Sequence, residues 1–129
     1  MLQKGGIYMQ NITLPHDHGQ LIEKQPERIP KEEEFQTVSD IFKQLCDGSR
    51  MRIFWLLCHY EECVINLASL VGMTSPAVSH HLRQLKSSGL IVSRRDGKEV
   101  YYKAADTEQA QLLHIIIEKM VEISCPTSK

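Results

Sequence analysis

Residues 14–19 read LPHDHG, two imidazoles on either side of a carboxylate in a polar stretch bracketed by proline and glycine. His16, Asp17 and His18 carry nitrogen and oxygen donors of the kind a borderline divalent cation takes. The run is either part of a metal clamp or a solvated arm, and as a clamp it needs partners from elsewhere in the chain. A second group crowds into residues 74–83: Thr74, Ser75, Ala77, Ser79, His80 and Arg83, followed by Lys86, Arg94, Arg95 and Lys98. Short hydroxyls beside an arginine can reach base edges or phosphates, and arginine itself grips guanine or phosphate.

The elements that must position these groups follow from composition and period. A chain of 129 residues is one domain with room for an appended arm, and 42% hydrophobic content predicts a modest core. No apolar run approaches the roughly 18 residues of a membrane span. The opening MLQKGGIYMQ lacks the apolar core and cleavage site of a signal peptide. A cytoplasmic protein is expected, with Cys46, Cys58, Cys63 and Cys125 as thiols rather than a disulfide framework. The net charge of −1 hides a segregation: −3 over residues 1–40, +4 over 41–103 and −2 over 104–129. A basic middle between acidic ends points to a polyanionic partner.

Residues 1–30 show no helical period and read as a mobile arm, 31–125 as the domain and 126–129 as a tail. Phe35, Val38, Ile41, Phe42 and Leu45 form one helical stripe, with Glu32–Glu34 at its dipole-positive start. Ser49 or Asp47 caps the next helix, which is apolar nearly all round and so central; Cys58 reads as an inert buried thiol on it. Val64, Leu67, Ala68 and Val71 make a third helical face, stopped by Gly72. Ser75 then caps a helix opening with Pro76, with Val78, Leu82 and Leu85 inward and Ser79, His80, Arg83 and Ser87 outward. His81, at the edge of the inward stripe, reads as a packed, hydrogen-bonded histidine. Helix, glycine turn, helix is the helix-turn-helix arrangement.

Two β-prone runs joined at Asp96–Gly97 predict a hairpin, hence a wing. The last segment is a helix with Asp106 as its cap. Leu112, Leu113, Ile116, Ile117, Met120 and Ile123 give it more apolar surface than one core stripe needs, which predicts a homodimer through this helix and the Phe35–Leu45 region. The fold class is mainly α with a β-hairpin wing, a winged helix-turn-helix dimerised through terminal helices.

At this point the sequence resembles the ArsR/SmtB family of winged-helix repressors, over about residues 35–124. DGSRMRIFWLL is similar to the family's D-P-x-R-x-x-I/L-L opening, with Gly48 in place of the usual proline. EECVINLA resembles its E-L-C-V-x-D-L-A metal box, and SPAVSHHLRQLKSSGLIVSRRDGKEVYY its recognition helix and wing. The resemblance implies a homodimeric repressor that binds double-stranded operator DNA and releases it when an inducer binds. Inducers in the family are mostly metal or metalloid ions, and in some branches reactive sulfur or oxidants.

In the family's third-helix site the box supplies a thiolate and the partner subunit's arm completes the set. Cys63 stands at the thiolate position, while Ile65 and Asn66 replace the second Cys and the Asp. Cys63 and Asn66 share a face, but a neutral amide oxygen is a poor zinc ligand, which throws the burden onto His16, His18 and Asp17. One thiolate, two imidazoles and an oxygen suit tetrahedral Zn²⁺ or another divalent transition metal, acting as inducer and not as catalyst. The family's final-helix site falls on Asp106, Glu108, Lys119 and Glu122, none a histidine. His114 and Glu118, at i and i+4, are an alternative pair or a solvated one. A thiol switch between Cys46 and Cys125 is the second inducer mechanism the resemblance allows.

An enzyme is not expected: the sequence has no Gly-rich phosphate loop, nucleophile elbow or HExxH. A winged helix serving only protein contacts is the remaining alternative, and the outward polar set and basic middle argue against it.

Overall fold

The computed structural model describes residues 14–20 and 29–127. The chain divides between Phe42 and Lys43 into two units, so all of the first helix but its last residue falls outside the unit that holds the rest of the expected domain. That helix, α1, spans Glu32–Lys43. Its first turn holds Glu32, Glu33 and Glu34, and Glu34 reaches back to accept the Lys31 amide N–H at 2.8 Å. The acidic run thus satisfies an orphan donor as well as the dipole. The expected stripe is present but largely uncovered: α1 buries none of its residues, and Phe35, Val38 and Phe42 are all exposed. Leu45 lies beyond the helix and is buried in the second unit.

The second unit runs α2 (Gly48–His59), β1 (Glu62–Cys63), α3 (Val64–Val71), α4 (Ser75–Ser87), β2 (Ile91–Asp96), β3 (Glu99–Ala104) and α5 (Glu108–Ser124). Of the two candidate caps for α2, Asp47 does the capping, accepting the Arg50 N–H at 2.9 Å. The helix is central as expected, packed against α3, α4, β3 and α5 through buried Ile53, Phe54 and Leu57. Leu67 of α3 and Val78, Leu82 and Leu85 of α4 close on it, as do Leu113 and Ile117 of α5. Burying each such side chain stabilises the fold by about 1.5–3 kcal/mol before entropy is counted.

Gly72 ends α3 in the left-handed region (φ 68°), which a side chain rarely adopts, and the Met73 N–H closes back on the Ala68 carbonyl at 3.1 Å. That tight stop sets the angle between α3 and α4. Three local expectations shift by one residue. Thr74, not Ser75, caps α4, and Pro76 sits second in the helix. Thr107, not Asp106, caps α5 by accepting the Ala110 N–H at 3.2 Å. In both cases a neighbouring hydroxyl holds the extended backbone conformation a cap requires. In the wing Asp96 pairs with Glu99, so the loop is Gly97–Lys98, and the positive φ of Gly97 meets the demand of a mirror-image hairpin turn.

β1 adds a short third strand beside β3, Cys63 opposite Tyr101, giving an antiparallel sheet ordered β1-β3-β2. No helix among the described residues is long and apolar enough to cross a membrane.

Candidate nucleic-acid interface and donor cluster

The inward stripe of α4 decides what the helix shows outside. With Val78, Leu82 and Leu85 at most 2% exposed, the helical period turns His80, Arg83 and Ser87 to the exterior, while Ser75, Ala77 and Ser79 are half-buried. Arg83 has no hydrogen-bond or ion-pair partner among the described residues. Thr74 uses one of its hydroxyl lone pairs on the cap, accepting the Ala77 N–H at 3.3 Å, and stays exposed.

His81 is packed, with the Arg50 guanidinium 3.3 Å from Nδ1 and Asp47 Oδ1 3.8 Å from Nε2. Desolvation holds its pKa below the ordinary histidine value, against the pull of Asp47. A neutral Nδ1 can then accept from Arg50, whose Nε donates to the Gln44 carbonyl. This chain of bonds ties α4 to the start of α2.

The wing is less uniform than its charges suggest. Arg94 is held bidentate by Glu61, at 2.7 and 3.0 Å, across 33 residues of sequence, and lies 4.8 Å from the centre of the Tyr101 ring. The hydrogen bond from Arg94 keeps the Glu61 carboxyl below its usual range despite some desolvation, and the Arg94 pKa rises correspondingly. Its charge is therefore met within the chain. Arg95 donates to the Gly97 carbonyl at 3.4 Å, Lys98 sits in the loop at the hairpin tip, and Lys86 donates to Ser93 at 2.7 Å, joining α4 to the wing.

The expected metal donors are distributed. In the arm Asp17 accepts the Gly19 N–H at 2.8 Å, and the rings of His16 and His18 stack 6.1 Å apart. Cys63, half-buried, is the N-cap residue of α3, in the other unit from the arm. Asn66 donates to Glu62 at 2.8 Å, while Asp106 accepts from Gln111 at 2.9 Å and Glu108 lies exposed in the first turn of α5. Cys46, in the turn before α2, and Cys125, at the end of α5, are both exposed. Burial, helped by the charge of Glu118, pushes the Cys58 thiol up to about 11, which keeps it protonated and unreactive near neutral pH.

His114 and Glu118 do meet, and His59 of α2, which no spacing in the sequence links to them, meets both. His114 Nε2 lies 3.0 Å from His59 Nε2, and Glu118 Oε2 lies 3.2 and 3.3 Å from the two. Trp55 donates its indole N–H to the same oxygen at 3.1 Å. Some desolvation would raise the Glu118 carboxyl, but the hydrogen bonds from Trp55, His59 and His114 outweigh it and hold the group below its usual range. Only the i, i+4 half of this cluster had a signal in the sequence.

The apolar surplus of α5 also divides. Leu113 and Ile117, counted in the sequence as dimer surface, turn inward with Ala110 into the chain's own core. Leu112, Ile115, Met120, Val121 and Ile123 remain exposed, with Ile116 half-buried between the two sets.

A helix-turn-helix whose second helix presents an arginine and short polar side chains, braced by a β-hairpin, is a winged-helix DNA-binding domain. Residues 47–93 match the family model described as bacterial regulatory protein, arsR family. The chain is 35% identical over 103 residues to a transcriptional repressor SmtB homolog from Synechocystis sp., covering 80% of this chain and 77% of that protein. It is 34% identical over 88 residues to the cadmium resistance transcriptional regulatory protein CadC of Listeria innocua, covering 67% and 74%. Among solved structures it resembles the homodimeric winged helix-turn-helix domain of Mb0332 from Mycobacterium bovis, a possible ArsR-family regulator. That likeness has a TM-score of 0.64 at 30% identity and covers 72% of this chain and 85% of that one. The chain belongs to the ArsR family of bacterial regulatory proteins, and it is a DNA-binding regulator of transcription rather than an enzyme.

Proposed function

We propose that this chain is a cytoplasmic, homodimeric repressor that holds an operator through α4 and the wing and releases it when a divalent metal ion binds. The observation that carries the DNA reading is Arg83, exposed on α4 without a partner among the described residues, with Lys98 at the tip of the adjoining wing. Thr74, Ser75, Ala77, Ser79 and His80 complete the face that would enter the major groove, while Lys86, Arg94, Arg95 and Lys98 border it where phosphates run. A metal inducer is supported by relatives named for cadmium resistance, and by donors for a borderline ion on this chain. Cys63 with His16, His18 and Asp17 remains one proposed ligand set.

The dimer is supported by the exposed apolar face of α5, which a lone soluble chain has little reason to keep. A gel shift on a two-fold symmetric operator, repeated with added Zn²⁺ or Cd²⁺, tests the reading. The expected result is a shift that weakens steeply with salt and is reversed by metal; a metal-insensitive shift would remove the inducer assignment. Met120→Glu should give monomers in sedimentation, and an intact dimer would move the interface off this helix.

A further inference from the structure

We propose that His59, His114 and Glu118 form a zinc-class divalent cation site within a single chain, clamping the last turn of α2 to the middle of α5. The three candidate ligand atoms make a triangle with edges of 3.0, 3.2 and 3.3 Å. Tetrahedral zinc with ligands at about 2.0–2.1 Å has ligand–ligand edges of about 3.3–3.4 Å, so the triangle needs only a few tenths of an ångström of opening. Hydrogen bonding alone does not account for it. Each Nε2 carries at most one proton and directs it along one line, so two neutral imidazoles cannot bridge all three edges. Protonating both rings would set two cations 3.0 Å apart. A single ion at the centre satisfies all three atoms at once.

The surroundings fit the same role. Trp55 donates to the ligating oxygen of Glu118 and packs its ring 4.2 Å from that of His59, the kind of outer partner that fixes a ligand's orientation. A cavity of about 360 Å³, lined in part by His59, His114 and Gln111, gives an aquated ion a way in and room for a fourth, water ligand. Two imidazoles and one carboxylate, with no thiolate, select borderline ions such as Zn²⁺, Co²⁺ or Ni²⁺ over strongly thiophilic ones. None of the positions that the family resemblance marks on the final helix (106, 108, 119 and 122) takes part. Binding here does not depend on the DNA reading; a role as the inducer site rests on it.

Trp55 is the only tryptophan in the chain and touches the cluster directly, so it reports occupancy. Co²⁺ titrated into the full chain should quench Trp55 emission with one equivalent per chain, and Zn²⁺ should displace it. Glu118→Gln keeps the size and an acceptor for the indole, so it should fold and yet lose at least about 10-fold in Co²⁺ affinity. His59→Ala, on the other helix, should lose as much, while Cys63→Ser and a His16→Ala/His18→Ala double variant keep the Trp55 signal. Quenching unchanged in Glu118→Gln and His59→Ala, or abolished by Cys63→Ser alone, overturns the site. In a parallel gel shift, Zn²⁺-driven release in wild type but not in Glu118→Gln makes the cluster the inducer site. Equal release in both removes that role and leaves the repressor reading standing.

Discussion

The outer face of α4 and the seam between α2 and α5 are both polar, and they are built in opposite ways. On α4 the side chains of His80, Arg83 and Ser87 diverge from one helix, and Arg83 has no partner among the described residues. At the seam, donors from two helices converge on one another, their ligand atoms all within 4.8 Å. A groove-sized ligand is met by groups projecting from one rigid element; an ion the size of a water molecule is met by groups that converge from several. The buried side of α4 serves both, because the helix that carries Arg83 packs on the helix that carries His59.

The largest expected effect separates the two faces of α4. Leu82→Ala, in the buried stripe, should cost about 2–5 kcal/mol of folding stability in chemical denaturation. Arg83→Ala, one position on, should leave stability within about 0.5 kcal/mol and instead cost about 1–3 kcal/mol of operator binding if it makes a bidentate base contact. Equal effects of the two on stability would mean that Arg83 is not a free outward group.

Within the wing the contrast between divergent and paired charges can be sharpened. Lys98→Ala should weaken all DNA sequences alike and reduce the salt slope by about one. Arg94→Ala should change the slope less, because Glu61 already balances that charge. If Arg94→Ala changes the slope as much as Lys98→Ala, the Glu61 pair opens on DNA.

The smallest effect is a pH dependence. Desolvation puts the folded pKa of His81 below its unfolded value, so the stability tied to the neutral ring is complete above the ordinary histidine range, about pH 6.5. It is lost as pH falls through the lower, folded value. Wild type should therefore lose stability on mild acidification in thermal melts, and His81→Gln should lose less. An identical pH profile in the variant would place the acid sensitivity on other groups.

Much of the fold was legible because its signals are local. The period of Val78, Leu82 and Leu85 shows which side of α4 is buried and hence which side offers Arg83. Gly72 and the Asp96–Gly97 pair mark the stop and the hairpin to within one residue. The caps were less legible, since Thr74 and Ser75, or Asp106 and Thr107, are chemically fit for the same place, and only the backbone path picks one. β1 is two residues long and exists only because β3 lies beside it.

By itself, then, the sequence determined the order of helices and wing, the inward and outward faces of α4 and the family. Each depends on residues within a few turns of one another, where helical period and turn chemistry act. Only the tertiary structure decided that Leu113 and Ile117 belong to the core, that Glu61 neutralises Arg94, and that His59 meets His114 across 55 residues. Those outcomes depend on how α2 and α5 pack and where the wing folds back, and no local periodicity encodes the distance between side chains on separate elements.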